Sequence, residues 1–203
     1  MPIFQSATFE YESEIHYHDI KYIRLNNTPN HKALHDKLAA LENGEAALVS
    51  ASGMATISSA LMTFLNAGDH LLLQNSLYGG THGLVTQDFP NMGIDVDFID
   101  PNAPDTWKAK LKPTTKVLYV EAMANPTLGI PDLKAVVEFA RKHDLISMID
   151  NTFASPVNFR PLEIGFDLSL HSCTKYLNGH SDLVAGAAIG KASRSCRIQE
   201  GAS

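Results

Sequence analysis

The chain has 203 residues, of which 44% are apolar, 19% charged and 8% aromatic. That is enough apolar material for one sizeable core, and it excludes a disordered, collagen-like or disulfide-stapled chain. With 16 Lys and Arg against 22 Asp and Glu the formal charge is −6. No basic excess exists to neutralise a phosphate backbone or an anionic membrane, so neither nucleic acid nor a membrane is an expected partner.

Two cysteines, Cys173 and Cys196, make no disulfide framework and read as free thiols in a reducing cytoplasm. Met1 to Gln5 lacks a basic region followed by an apolar core, so no signal peptide is expected. The stretch Ala46 to Gly68 carries no charge but contains six Ser or Thr residues and Gly53. A membrane span would be richer in large apolar side chains, and the stretch reads as a buried helix.

In chain order, residues 1–30 form an arm, because Phe4 to Tyr22 is polar-aromatic, aperiodic and best read as extended. Leu34, Leu38 and Leu41 then recur at helical spacing, with Gly44 as the stop. Ser52-Gly53 opens a second helix running to about Leu65. Beyond it, short apolar runs alternate with helix-length amphipathic stretches. The runs are 70–73, 96–99, 117–120, 146–149, 168–170 and 184–189, and the clearest helix is Asp132 to His143. Such alternation predicts a three-layer α/β/α domain over residues 31–190, with a mostly parallel sheet and helices on both faces. Lys191 to Ser203 is small and polar without apolar periodicity and is unassigned, reading either as a disordered end or as a chain that stops inside a larger protein.

In an open α/β sheet, ligands bind beyond the carboxyl ends of the strands. The polar residues following the runs are Asn75, Tyr78, Gly79 and Gly80; Glu121 and Asn125; Asp150, Asn151 and Thr152; and His171, Ser172, Thr174 and Lys175. Each alone is ordinary: a turn, a strand-end cap or a solvated charge. Together they supply an aromatic ring, two carboxylates, hydroxyls and one lysine at a single edge, a set that suits pyridoxal phosphate. Lys175 is the candidate Schiff-base lysine, with a partly buried cleft expected to favour its neutral amine. Asp150 can hold the pyridinium nitrogen and Tyr78 can stack on the ring. The helix start at Gly53 and Met54 offers free amides to the phosphate, and Ser172 and Thr174 add hydroxyls. The pairs His16/His18 and His31/His35, and His171 with Cys173 and His180, lack a second pair at zinc spacing, so no metal is expected. A dinucleotide fingerprint, a nucleophile elbow and a Walker loop are absent.

Several blocks resemble the Cys/Met-metabolism pyridoxal-phosphate enzymes, the family of cystathionine γ-lyase, cystathionine β-lyase, cystathionine γ-synthase and methionine γ-lyase. They are Tyr22-Ile23-Arg24, Ala51 to Ala55, Leu77 to Thr81, Glu121 with Asn125-Pro126-Thr127, Asp150 to Ala154 and, most specifically, His171 to Asp182. The resemblance runs from about Pro2 to Gly190. It implies the large domain of a fold-type I enzyme, a cytoplasmic lyase or transferase of sulfur amino acids working by β- or γ-elimination or replacement. By similarity Lys175 and Tyr78 would be catalytic, while Gly53, Met54, Ser172 and Thr174 would hold the phosphate. Asp150, with Thr152 beside it, would meet the ring nitrogen and Asn125 the phenolic oxygen. Tyr22 and Arg24 would reach the phosphate of a neighbouring subunit in a homodimer or tetramer. Family members continue into a smaller C-terminal domain that clamps the substrate carboxylate. No counterpart of that domain is expected in these residues, so the sequence also admits a truncated, inactive cofactor-binding or subunit-pairing fragment.

Overall fold

The computed structural model describes residues 2–10, 13 and 16–201, and the side chains of His18, Cys196, Gln199 and Glu200 lie outside that description. Helix α1 (Pro29–Glu42) begins with Pro29 in its first turn, where the missing amide hydrogen is no loss. It ends at Asn43, whose φ of 55° lets its amide turn back to the Ala39 and Ala40 carbonyls. The stop is therefore Asn43 rather than Gly44, because a short polar side chain tolerates the left-handed conformation.

The uncharged stretch expected as one helix is instead a strand, a turn and a helix: β1 (Ala46–Ser50) followed by α2 (Gly53–Phe64). Strand β1 alternates, with Leu48 in the core beneath α2 and Ala47 in the core beneath α1. The remaining elements are β2 (His70–Gln74), α3 (Gly79–Gly83), β3 (Asp95–Ile99), α4 (Pro104–Trp107), β4 (Thr115–Glu121), α5 (Leu133–Lys142) and β5 (Ile146–Asp150). They continue as α6 (Ser155–Asn158), α7 (Pro161–Ile164), β6 (Leu168–Ser172), β7 (Gly186–Gly190) and α8 (Ala192–Gly201).

Seven strands form one sheet in the order β1-β7-β6-β5-β4-β2-β3. Only β7 runs against its neighbours, β1 and β6, and all other pairings are parallel. On one face Ile57, Ala60, Leu61 and Phe64 of α2 cover Leu71, Leu73, Val117, Met148, Leu168 and Leu170. On the other, Val136, Val137 and Ala140 of α5 cover Leu118, Val120 and Ile149 together with Trp107. Both sheet faces are thus buried, which is why the strands read as continuous apolar runs, and each fully buried Leu or Ile contributes roughly 1.5–3 kcal/mol.

The tail is a further difference. Residues 192–201 form α8, with Ser195 and Ile198 buried and Ile198 in the same core as α2. The Arg194 and Arg197 guanidinium groups lie 5.6 and 4.8 Å from the Phe64 ring centroid. Among its described side chains the buried face is Ser195 and Ile198, three apart, and the long arginine stems cover more of the apolar contact. In the arm, Thr8 bridges Tyr22 and short 3-10 turns occupy Tyr17–Asp19 and Ile23–Leu25.

Among the described residues no helix is long and apolar enough to cross a membrane. Because β1, β2, β4, β5 and β6 run in one direction, their carboxyl ends and the start of α2 share one edge.

Candidate active site

At that edge the last residues of β4 and β5, Glu121 and Asp150, are register partners, so two carboxylates stand side by side. Asp150 accepts the Thr152 amide at 2.9 Å. Burial pushes its carboxyl above the usual range, against the pull of the Thr152 hydrogen bonds and of His171. Glu121 is 3% exposed. Its Oε1 accepts the Tyr78 amide at 2.7 Å and its Oε2 the Asn125 amide at 3.4 Å. Burial raises it to about 7, with the Asp150 charge adding and the two amides opposing.

Tyr78 stands at the head of α3, 46% exposed. A methyl group on Gly80 would come within 2.7 Å of the Tyr78 ring and 2.9 Å of Met54 Sδ, so the glycine leaves the gap in which both side chains sit. The last residue of β6, Ser172, and the turn beyond it place a hydroxyl, Thr174 and Lys175 together, with the Lys175 amide on the Ser172 carbonyl at 3.1 Å. Thr152 Oγ1 accepts the Ser172 amide at 2.8 Å and ties the ends of β5 and β6 together.

The cradle between α2 and β6 is set by Gly53. A Cβ there would lie 2.6 Å from Ser172 Cβ and 2.9 Å from its Cα and Oγ, so only glycine lets the helix start reach the strand end. Ser52 caps α2 by accepting the Ala55 amide at 3.0 Å, which leaves the Gly53 and Met54 amides facing out of the helix end beside the Ser172 hydroxyl. An amide pair, a hydroxyl and the positive end of a 12-residue helix fit a phosphate dianion. Tyr78 and Asp150 fit an aromatic ring bearing a basic nitrogen. The residues present therefore match pyridoxal phosphate in charge and in kind.

Two expectations need correction or refinement. Lys175, in the turn after β6, is exposed in this chain rather than partly buried. Thr174 Oγ1 accepts the Ala185 amide at 3.1 Å and sits 3.3 Å from its carbonyl, so its hydroxyl is already engaged in pairing the turn with the start of β7. Tyr22 and Arg24 pack on each other, guanidinium 4.3 Å from the ring centroid, while the neighbouring Asn26 holds the arm to the Val49 carbonyl on β1. His171 is taken up behind the sheet by Glu42, which also accepts Ser169 and Asn151 at 2.9 Å each. Among the described residues no group of three His, Cys, Asp or Glu is placed to hold a metal ion.

The role of Glu121 as acceptor for the Tyr78 and Asn125 amides was not legible in the sequence. The one signal was a carboxylate closing the apolar run Val117–Val120, where burial demands partners.

A family model described as Cys/Met metabolism PLP-dependent enzyme matches residues 1–201, extending the similarity beyond Gly190 and through α8. The chain is 41% identical to an L-methionine gamma-lyase from Porphyromonas gingivalis over 202 residues, covering 94% of this chain and 50% of that protein. It is 42% identical to a cystathionine beta-lyase from Bacillus subtilis over 191 residues, covering 94% and 48%. The fold superposes on cystathionine gamma-lyase from Lactobacillus plantarum, solved with L-serine, with a TM-score of 0.92 and 36% identity over 99% of this chain and 52% of that one. The chain spans about half the length of the curated relatives it matches.

Proposed function

Because the chain belongs to the Cys/Met metabolism PLP-dependent enzyme family, we propose that it serves a carbon–sulfur lyase acting on small sulfur amino acids such as cystathionine or methionine in the cytosol. The observation that carries this reading is the convergence of Lys175, Asp150, Tyr78 and the Gly53–Ser172 cradle at one sheet edge. When bound, pyridoxal phosphate supplies the electron sink for a carbanion at the substrate Cα.

The chain's own residues do the rest. Gly53 and Met54 amides with the Ser172 hydroxyl bind the phosphate, and Thr174 joins them if it releases Ala185. Asp150 accepts the ring N–H, and the cation it meets there favours its ionised form against burial. Thr152 orients Asp150 through its amide. Tyr78 covers the ring face and directs its phenol to the leaving sulfur, and Asn125 meets the phenolic oxygen. Lys175 would hold the cofactor through Nζ, and the same amine would take and return the proton at the substrate Cα.

Arg24 and Tyr22 serve the phosphate of a second copy in a homodimer or tetramer, which gives the arm its purpose. Arg24 is exposed with its planar fork on the Tyr22 ring, a geometry suited to a phosphate.

Borohydride reduction of the chain mixed with pyridoxal phosphate, followed by peptide mapping, tests the assignment. The reading expects the cofactor mass on the peptide carrying Lys175. Attachment spread over surface lysines would overturn it. Keto-acid and thiol release from cystathionine and from methionine then distinguishes the substrates.

A further inference from the structure

Gln74 and Glu121 are both buried at the ends of the adjacent parallel strands β2 and β4, Gln74 one residue beyond Leu73 and Glu121 two beyond Tyr119, the register partner of Leu73. Gln74 Oε1 accepts the Glu121 amide at 2.9 Å, and Gln74 Nε2 donates to the Ser76 carbonyl. Glu121 in turn gives one carboxylate oxygen to the Tyr78 amide and the other to the Asn125 amide. A hydroxyl contact between Ser76 and Thr127 at 3.3 Å adds a stitch on the exposed side.

The loop after β2 and the loop after β4 are therefore held by one continuous chain of hydrogen bonds. Burying a carboxylate is costly, and an apolar side chain would fill the volume more cheaply. What a carboxylate does that an apolar group cannot is accept two separate amides through two oxygens. Here those amides belong to the two residues expected to touch the cofactor ring from different sides.

We propose that Gln74 and Glu121 form a buried clasp that fixes the Tyr78 and Asn125 loops relative to each other, making Glu121 a positioning residue for the cofactor ring. The proposal rests on the cofactor reading above for its purpose, while the clasp itself is testable without cofactor. A merely structural carboxylate would change global stability. A positioning one changes the two loops selectively.

The experiment compares the full chain with Glu121→Ala and Glu121→Gln by residue-resolved amide hydrogen exchange without cofactor. It then measures visible circular dichroism per bound pyridoxal phosphate. Glu121→Ala is expected to speed exchange at Tyr78 and Asn125 by about tenfold, the effect of losing one hydrogen bond of ordinary net strength, with the α2 and β4 amides unchanged. Its dichroism per bound cofactor should fall at least about twofold. Glu121→Gln keeps a single acceptor oxygen and should protect one of the two amides while releasing the other. Unchanged exchange at both amides in Glu121→Ala, or equal protection of both in Glu121→Gln, would overturn the proposal. If Glu121→Ala loses protection throughout the sheet, Glu121→Gln alone decides between these outcomes. If the unaltered chain gives no Lys175-dependent visible signal, the cofactor reading fails, while the exchange data still decide the clasp.

Discussion

Gly53→Ala tests the cradle with a single methyl group. Its Cβ would stand 2.6 Å from Ser172 Cβ and 2.9 Å from Ser172 Cα. Ordinary carbon–carbon contact is about 3.5 Å or more, so helix and strand must separate by about 1 Å. Ser172 cannot swing aside, because the atoms in conflict are its Cα and Cβ. Its backbone is held by pairing with Gly186 and by the Thr152 hydroxyl. Overpacking of this kind typically costs about 1–3 kcal/mol, reduced by several tenths because alanine also restricts the unfolded chain. A shift of about 1 Å also carries the Gly53 and Met54 amides off the phosphate. Charge-assisted hydrogen bonds are steep in distance, so affinity for pyridoxal phosphate should fall by about tenfold or more. Urea unfolding and equilibrium dialysis measure the two effects on one preparation. Gly83→Ala is the control, since nothing lies within 4 Å of its added Cβ and its φ is not positive. A Gly53→Ala chain that unfolds and binds like the parent would refute the close approach of α2 and β6.

Other perturbations address the remaining parts of the account. Glu121 is raised from 4.5 to about 7 in the folded chain, so the folded state binds its proton more tightly than the unfolded state. The stability it contributes is fully present below about pH 4.5 and is lost as the pH rises through 7. Between pH 5 and pH 8 the parent should lose about 2.5 kcal/mol more than Glu121→Gln, read from urea midpoints at each pH. Equal losses would contradict the burial argument. Ile198→Ala should cost about 2 kcal/mol or more in the same unfolding assay, because Ile198 is 2% exposed in the core shared with α2. A loss under about 0.5 kcal/mol would mean that α8 is not docked. Asp150→Asn should weaken the bound cofactor's visible dichroism while leaving the fold intact, since an amide oxygen can still take the Thr152 amide. A circular dichroism signal equal to the parent's would remove Asp150 from the ring nitrogen.

The inner strands and their polar ends were legible because a strand buried on both faces is an unbroken apolar run, and the first polar residue after it marks the edge. Asp150 after Met148-Ile149 and Glu121 after Val117–Val120 are such marks. Strand β1 was not legible: Ala46–Ser50 passes without a charge into α2, and only the short Ala51-Ser52 turn separates them. The tail failed for a different reason, since the buried residues among its described side chains, Ser195 and Ile198, include a serine and leave no visible apolar period. Tyr22 and Arg24 have no local signature of function, and only the family resemblance gave them one. The clasp lay beyond any sequence pattern, because it joins Gln74, Tyr78, Glu121 and Asn125 through atoms that only the parallel pairing of β2 with β4 brings together.

The central claim is that this sheet edge binds pyridoxal phosphate through Lys175. The direct measurement is the visible absorption spectrum of the full chain titrated with pyridoxal phosphate, beside Lys175→Ala. Because the lysine is exposed, its removal should change stability by less than about 0.5 kcal/mol, and both chains can be compared folded. The account predicts a saturable yellow band in the parent that is absent from Lys175→Ala. No band in the parent, or the same band in both, would contradict it.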